Sequence, residues 1–278
     1  MMATIEQCRR FFAEYVVRVA GSADARLIDA FAAVARERFV GPGPWELCVG
    51  QRYLRTPDAD PRWLYQDVVV ALDRDAGLNN GQPTLHARCI DAAQVERGQT
   101  VVHVGAGSGY YTALLAHLVG PDGKVVAFEI HEALARHAQA NLAACAQVEL
   151  RAASAVDAPL PCCNVIYVSA GITDPPPSWL DALRIGGRLV LPLTTETGHG
   201  VMLAVTRTAG ERYAARALLH VGFVGCVGAR NEATSRSLAA ALQRDSIDRI
   251  RSLRRDSAPD ASAWCRGDGW WLSCADAA

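Results

Sequence analysis

Between Val101 and Glu129 the chain reads VVHVGAGSGYYTALLA and then, past a polar break, VVAFE. A β-branched run, a glycine-rich turn, an apolar helical stretch and a second apolar run ending on an acid spell a βαβ unit. Few folds accept that order. Gly105, Gly107 and Gly109 have the spacing GxGxG, so the backbone can turn sharply and lie against a ligand with no Cβ in the way. Glu129 falls twenty residues past Gly109, where such a unit puts a carboxylate beside ribose hydroxyls. A dinucleotide site has GxGxxG, and Tyr110 stands in the third glycine's place, which weakens a pyrophosphate reading. GxGxG with an acid closing the next strand instead suits S-adenosylmethionine, which has a ribose and an amino acid but no phosphate. The residues carrying that expectation are Gly105, Ala106, Gly107, Ser108, Gly109, Glu129 and Ile130. The alternative is a tight glycine turn with no ligand.

The rest of the pattern extends the unit in both directions. Helices are predicted over 4–20, 23–37 and 84–93, the last just beyond Pro83, with 45–83 irregular apart from short extended pieces such as 63–72. Strands at 100–104, 124–129, 147–151, 164–169 and 187–192 alternate with helices at 109–118, 131–143 and 178–184. That order predicts an α/β fold with a doubly wound, mostly parallel sheet. Gly186-Gly187 is read as the turn into the last of these strands. Residues 200–207 and 212–224 read as a hairpin, so the sheet is expected to end antiparallel. The tail over 232–255 reads as an Arg-rich helix; its six Arg are interleaved with Glu232, Asp245, Asp248 and Asp256, as on a solvated face.

With 278 residues, half of them hydrophobic, the chain can bury one large core, with or without a small annex. A net charge of −1 favours neither nucleic acid nor an anionic membrane. The nine cysteines include no CxxC and no zinc spacing, so no metal is expected. No apolar run reaches membrane-span length, and a soluble cytoplasmic enzyme is the expectation.

Six segments, in order over roughly 25–226, resemble the protein-L-isoaspartate (D-aspartate) O-methyltransferase family. FAAVARERFV at 31–40 is similar to its entry segment, LYQD at 64–67 to its YxD element, and NNGQPTLHA at 79–87 to its TISQPxxxA-like substrate loop. The Val101–Ala116 stretch resembles its nucleoside-binding motif, IGGRLVLPL at 185–193 its PGGRL strand, and FVGC at 223–226 a late strand. The resemblance implies a Rossmann-like methyltransferase core at 98–228, a helical N-terminal region with the substrate loop at 1–97, and a helical extension at 229–278. It also implies S-adenosyl-L-methionine as cofactor and a peptide or protein isoaspartyl carboxylate as acceptor, the chemistry of protein repair.

Three positions depart from the family. Gly81 stands where a Ser or Thr hydroxyl would position the substrate carboxylate; the adjacent Asn80 amide could donate instead. His103 replaces the acid that would meet the methionyl amine. Ser154 replaces the acid that would meet the adenine amine, with Asp157 able to stand in if the loop bends. A carboxylate acceptor is already ionised at neutral pH, so the enzyme needs donors and alignment rather than a general base. Asn80 and Gly81 are the candidate catalytic positions, and Asn79, Gln82, Pro83 and His86 the candidate substrate contacts. His86 is either the nearest base for another acceptor or a helix residue facing a neighbouring element. Two alternatives stand beside the carboxyl methyltransferase: a specialised enzyme for a peptide or small metabolite, and a cofactor-binding protein that has lost transfer.

Overall fold

The computed structural model describes residues 3–50, 52–255 and 258–277. In chain order it opens with helices α1 (Ile5–Val19) and α2 (Ala25–Ala33), then strands β1 (Glu46–Val49), β2 (Arg52–Arg55), β3 (Val69–Asp73) and β4 (Leu78–Asn79). Helix α3 (Pro83–Ala93), strand β5 (Thr100–Val104), helix α4 (Tyr110–Val119), strand β6 (Lys124–Phe128), helix α5 (Glu132–Asn141) and strand β7 (Val148–Arg151) follow. Beyond them lie β8 (Cys163–Val168), α6 (Pro177–Ala182), β9 (Leu183–Thr194), β10 (His199–Ala209) and β11 (Arg212–Gly222). The tail holds α7 (Glu232–Arg244), β12 (Ser252–Arg254), β13 (Ala263–Arg266) and β14 (Trp271–Ser273). The chain divides into two compact units, 1–98 with 106–152, and 99–105 with 153–278.

In the first unit α1 starts at a capping box between Thr4 and Gln7 and buries Phe12, Ala13, Val16 and Val17. The helix predicted over 23–37 ends at Ala33. Val34 and Ala35 are extended, and a 3₁₀ turn, Arg36–Phe39, follows. The break delivers Arg36 into the interior, where its guanidinium donates to the carbonyls of Leu64, Gln66 and Val68. The stretch 45–83, read as irregular, is an antiparallel sheet in the order β2-β1-β3-β4 over Val40, Trp45, Leu47, Leu64 and Val70. Its strands are too short to show an alternation, and they pair at long range, Leu47 opposite Val70. The same unit carries the parallel pair β6–β7.

In the second unit the strands lie in the order β13-β14-β12-β11-β10-β9-β8-β5. The pairs β5–β8 and β8–β9 are parallel; from β9 outward every pairing is antiparallel. The fold is α/β with a mixed sheet, and its antiparallel part is longer than expected because the tail is not the helical extension predicted. Helix α7 stops at Arg244, and β12 to β14 continue the sheet, with Trp264, Trp271 and Leu272 buried. Those apolar residues are too closely spaced among Gly and Asp to read as strands. Gly186-Gly187 is a bulge inside β9 rather than the turn before it: Cys163 pairs with Leu183 but Val165 with Arg188. Two tail arginines form ion pairs, Arg249 with Asp245 four residues away and Arg255 with Asp181 of α6, each at 2.7 Å. Asp256 lies outside the described residues.

Candidate active site

The glycine turn follows β5, and its later part belongs to the first unit. All three glycines have positive φ, +77° at Gly105, +57° at Gly107 and +96° at Gly109. They do different work. At Gly105 a Cβ would sit 3.4 Å from the carbonyl carbon of Ser169, in ordinary contact. A Cβ at Gly107 would find only Leu72 Cδ1, at 3.7 Å, so this glycine leaves the turn open. At Gly109 a Cβ would fall 2.9 Å from Leu142 Cδ1. Gly109 therefore lets α4 start against the end of α5, the packing role of a third glycine.

Glu129 follows β6 directly and is buried, with both carboxylate oxygens held by backbone. Oε2 accepts from Gly107 N at 2.6 Å and Oε1 from His131 N at 2.8 Å. Each oxygen keeps a further lone pair, so the carboxylate can still accept from two hydroxyls. Beside it the large apolar side chain of Ile130 is 53% exposed, an apolar face of the kind a purine ring covers. Acceptor-only carboxylate, open glycine and exposed apolar side chain fit a nucleoside with a ribose diol.

The loop 79–83 is built by its own polar groups. Asn79 Oδ1 accepts from Gly81 N at 2.9 Å, closing an Asx turn. Gln82 Nε2 donates to Asp67 Oδ2 at 2.8 Å, and Asp67 Oδ1 takes Thr84 N at 2.8 Å, so Asp67 caps α3 from outside. Pro83 occupies the first turn of α3, where no N–H is needed. Asn80 is buried; its Oδ1 accepts from Val70 N at 2.8 Å and from Arg36 Nη2 at 3.5 Å. Its Nδ2 is buried with no protein partner.

Gly81 is a glycine for two structural reasons. Its φ is +69°, and a Cβ would lie 2.2 Å from His86 Nε2. The imidazole occupies the space a side chain at 81 would need. His86 itself stacks on Tyr111, ring centroids 3.6 Å apart and planes 11° from parallel, which is the packing reading of this residue. Tyr111 Oη donates to the Gly81 carbonyl at 3.4 Å. Tyr111 stands in the first turn of α4, directly after the glycine turn, so one side chain ties the loop to that turn. Its neighbour Tyr110 packs edge-on against Phe31 and Phe39.

In the second unit His103 is fully buried, and desolvation pulls its imidazole down to about 3, so it is neutral. Its Nε2 lies 3.0 Å from Ser169 Oγ and its ring 5.4 Å from that of Tyr167. No negative charge stands at this position. Ser154 Oγ accepts from Val156 N at 3.1 Å, and Asp157 is exposed. Sequence reasoning passed over Arg36, Asp67 and Ser169. The first two lie inside quoted motifs, RERFV and LYQD; nothing in the sequence marks Ser169.

The open turn, the buried carboxylate and the exposed apolar side chain have the chemistry that the nucleoside end of an S-adenosylmethionine-dependent methyltransferase requires. Comparison with known proteins narrows the class. The family model for protein-L-isoaspartate(D-aspartate) O-methyltransferase (PCMT) matches residues 16–231, and the chain belongs to that family. It is 35% identical over 210 residues to the protein-L-isoaspartate O-methyltransferase of Methylorubrum populi, covering 73% of this chain and 87% of the relative. To that of Ignicoccus hospitalis it is 33% identical over 177 residues, covering 62% and 82%. Among solved structures, a protein-L-isoaspartate O-methyltransferase superposes with TM-score 0.65 at 21% identity, covering 84% of this chain and 68% of the other. A β-aspartate methyltransferase from Plasmodium falciparum, in complex with S-adenosyl-L-homocysteine, gives 0.62 at 18%, covering 78% and 97%. These two show the fold. Among the described residues no helix is long and apolar enough to cross a membrane.

Proposed function

We propose that this chain transfers the methyl group of S-adenosylmethionine to the carboxylate of isoaspartyl residues in proteins or peptides, a repair reaction. The observation that carries the reading is Tyr111, whose ring and hydroxyl hold the acceptor loop against the helix that begins at the glycine turn. When bound, the cofactor supplies a methyl group already activated on a sulfonium. Glu129 is assigned the ribose hydroxyls, Ile130 the adenine face, and Gly105, Ala106, Gly107, Ser108 and Gly109 the backbone that lies along the cofactor. Ser154 is assigned to the adenine amine and His103 to the methionyl amine, reached through Ser169 Oγ, because the imidazole itself is sealed off.

On the acceptor side the task is to hold an ionised carboxylate in line and exclude water. Asn80 is the assigned donor, Asn79, Gly81, Gln82 and Pro83 shape the loop, and His86 supports it from below. None of these needs to take a proton. The reading includes a reducing, cytoplasmic setting, in which cysteines stay thiols. The test is methyl transfer to an isoaspartyl peptide, with the aspartyl peptide as control and cofactor binding measured by calorimetry. Label on the isoaspartyl peptide alone is expected; cofactor binding with no transfer to either peptide would overturn the acceptor assignment.

A further inference from the structure

Arg36 is fully buried, and its guanidinium donates to neutral oxygens: the carbonyls of Leu64, Gln66 and Val68, at 2.6, 3.0 and 2.5 Å, and Asn80 Oδ1. It forms no ion pair among the described residues, and the nearby Asp67 has both oxygens committed to Thr84 and Gln82. A buried guanidinium outside any ion pair is costly, because its charge has left water and the Asp67 carboxylate acts on it only through space, without direct contact. Burial accordingly lowers its affinity for the proton. Asn80 is the second anomaly. Two donors, Val70 N–H and Arg36 Nη2, fix its amide with the oxygen inward. Nδ2 must therefore face the other way, and it is buried with nothing to donate to. An unmade hydrogen bond in that position is among the costlier defects a fold can carry, and such a group calls for an explanation.

A single ligand resolves both anomalies. We propose that Arg36 and Asn80 form a receptor for one carboxylate: Asn80 Nδ2 donates to it directly, and Arg36 acts as a positioning residue, holding the amide and supplying the positive charge behind it. This rests on the isoaspartyl reading for the identity of the carboxylate and deepens it by naming what distinguishes an acid from its amide. A carboxamide could accept from Asn80 Nδ2 equally well but would gain little from the buried charge. The acceptor loop lacks a hydroxyl at Gly81, so discrimination passes from that side chain to a charge set back in the core.

The decisive variant is Asn80→Asp. A carboxylate there can accept from Val70 N and pair with Arg36, so the fold is retained, while the donor is lost and the charge neutralised. Binding is measured by calorimetry on the full chain with S-adenosylhomocysteine present, using an isoaspartyl peptide and its isoasparaginyl analogue. Wild type is expected to prefer the acid; in Asn80→Asp affinity for the acid falls about 30- to 100-fold, while the amide analogue binds as well as before or better. In turnover the peptide KM rises and the S-adenosylmethionine KM does not. Arg36→Lys, which keeps the charge, is expected to retain the acid preference, and Arg36→Gln to lose it. Should either Arg36 variant fail to fold, the Asn80 arm still decides. Equal affinity of wild type for acid and amide would overturn the receptor, as would parallel loss of both peptides in Asn80→Asp or no change in either. Acid preference without methyl transfer would sustain the receptor and overturn the methylation reading alone.

Discussion

A side chain at residue 81 has nowhere to go. The positive φ costs an L-residue about 1–2 kcal/mol before any contact is counted, and His86 Nε2 stands where the Cβ would begin. Gly81→Ala and Gly81→Ser are therefore expected to behave alike, each losing roughly 2 kcal/mol or more in urea unfolding and most of the methyl transfer. Adding His86→Ala to Gly81→Ser should recover part of the stability, since the imidazole is the obstacle. If serine alone outperforms alanine, the hydroxyl matters more than the space. Glu129 presents the opposite case, a side chain with two duties. Its carboxylate anchors the N–H groups of Gly107 and His131 and, in the proposed function, also accepts from the ribose. Glu129→Ala is expected to weaken S-adenosylhomocysteine binding by about 10- to 100-fold in calorimetry, the range for hydrogen bonds to a charged group.

Elements were legible where one periodicity runs unbroken. The segment from β5 to β7 has long apolar runs and glycines at fixed offsets, and its strands and helices lie within a residue or two of expectation. The sheet β2-β1-β3-β4 was not legible, because Leu47 meets Val70 only after the chain has passed two turns and a 3₁₀ segment. The motifs, in turn, marked positions without giving their roles. Arg36 of RERFV and Asp67 of LYQD both serve the loop at 79–83, one beneath Asn80 and the other capping α3, a convergence that exists only in three dimensions. The tail misled for a different reason: its strands follow a helix of high Arg content and are recognised by what they bury. One residue secures them. Asp174 Oδ1 accepts from Thr234 Oγ1 at 3.0 Å, from Asp268 N at 3.1 Å and from Trp270 Nε1 at 2.7 Å, joining α7 and the β13–β14 turn to the segment after β8. Asp174→Ala strands three donors and is expected to cost about 2–4 kcal/mol. Tryptophan fluorescence should report the tail loosening at lower denaturant than the rest, and a single unshifted transition would show that the contact is incidental.

At the scale of the whole molecule, the replacement of an acid by His103 makes stability depend on pH in a window that few other groups touch. The imidazole titrates near 6.5 in an unfolded chain and at about 3 when buried in β5. Between those values the unfolded state holds a proton the folded state does not, so stability falls as pH falls through that range. One proton corresponds to about 1.4 kcal/mol per pH unit. The carboxylates that salt bridges or local hydrogen bonds hold below their ordinary values, Glu6, Asp60, Glu149 and Asp260, all sit at the surface; they take up protons near the unperturbed range of about 4 only in the unfolded chain, and at lower pH still when folded. Between about pH 6.5 and 4.5, then, His103 should dominate the slope. Urea unfolding across that interval is expected to show wild type losing about 2–3 kcal/mol. His103→Gln keeps a polar group that can meet Ser169 Oγ but has no proton to gain. Its absolute stability will differ, so the comparison is of slopes: the variant should be nearly flat where wild type declines. Parallel slopes would mean that His103 does not enter the folded state neutral, and the loss of negative charge behind the glycine turn would need another explanation.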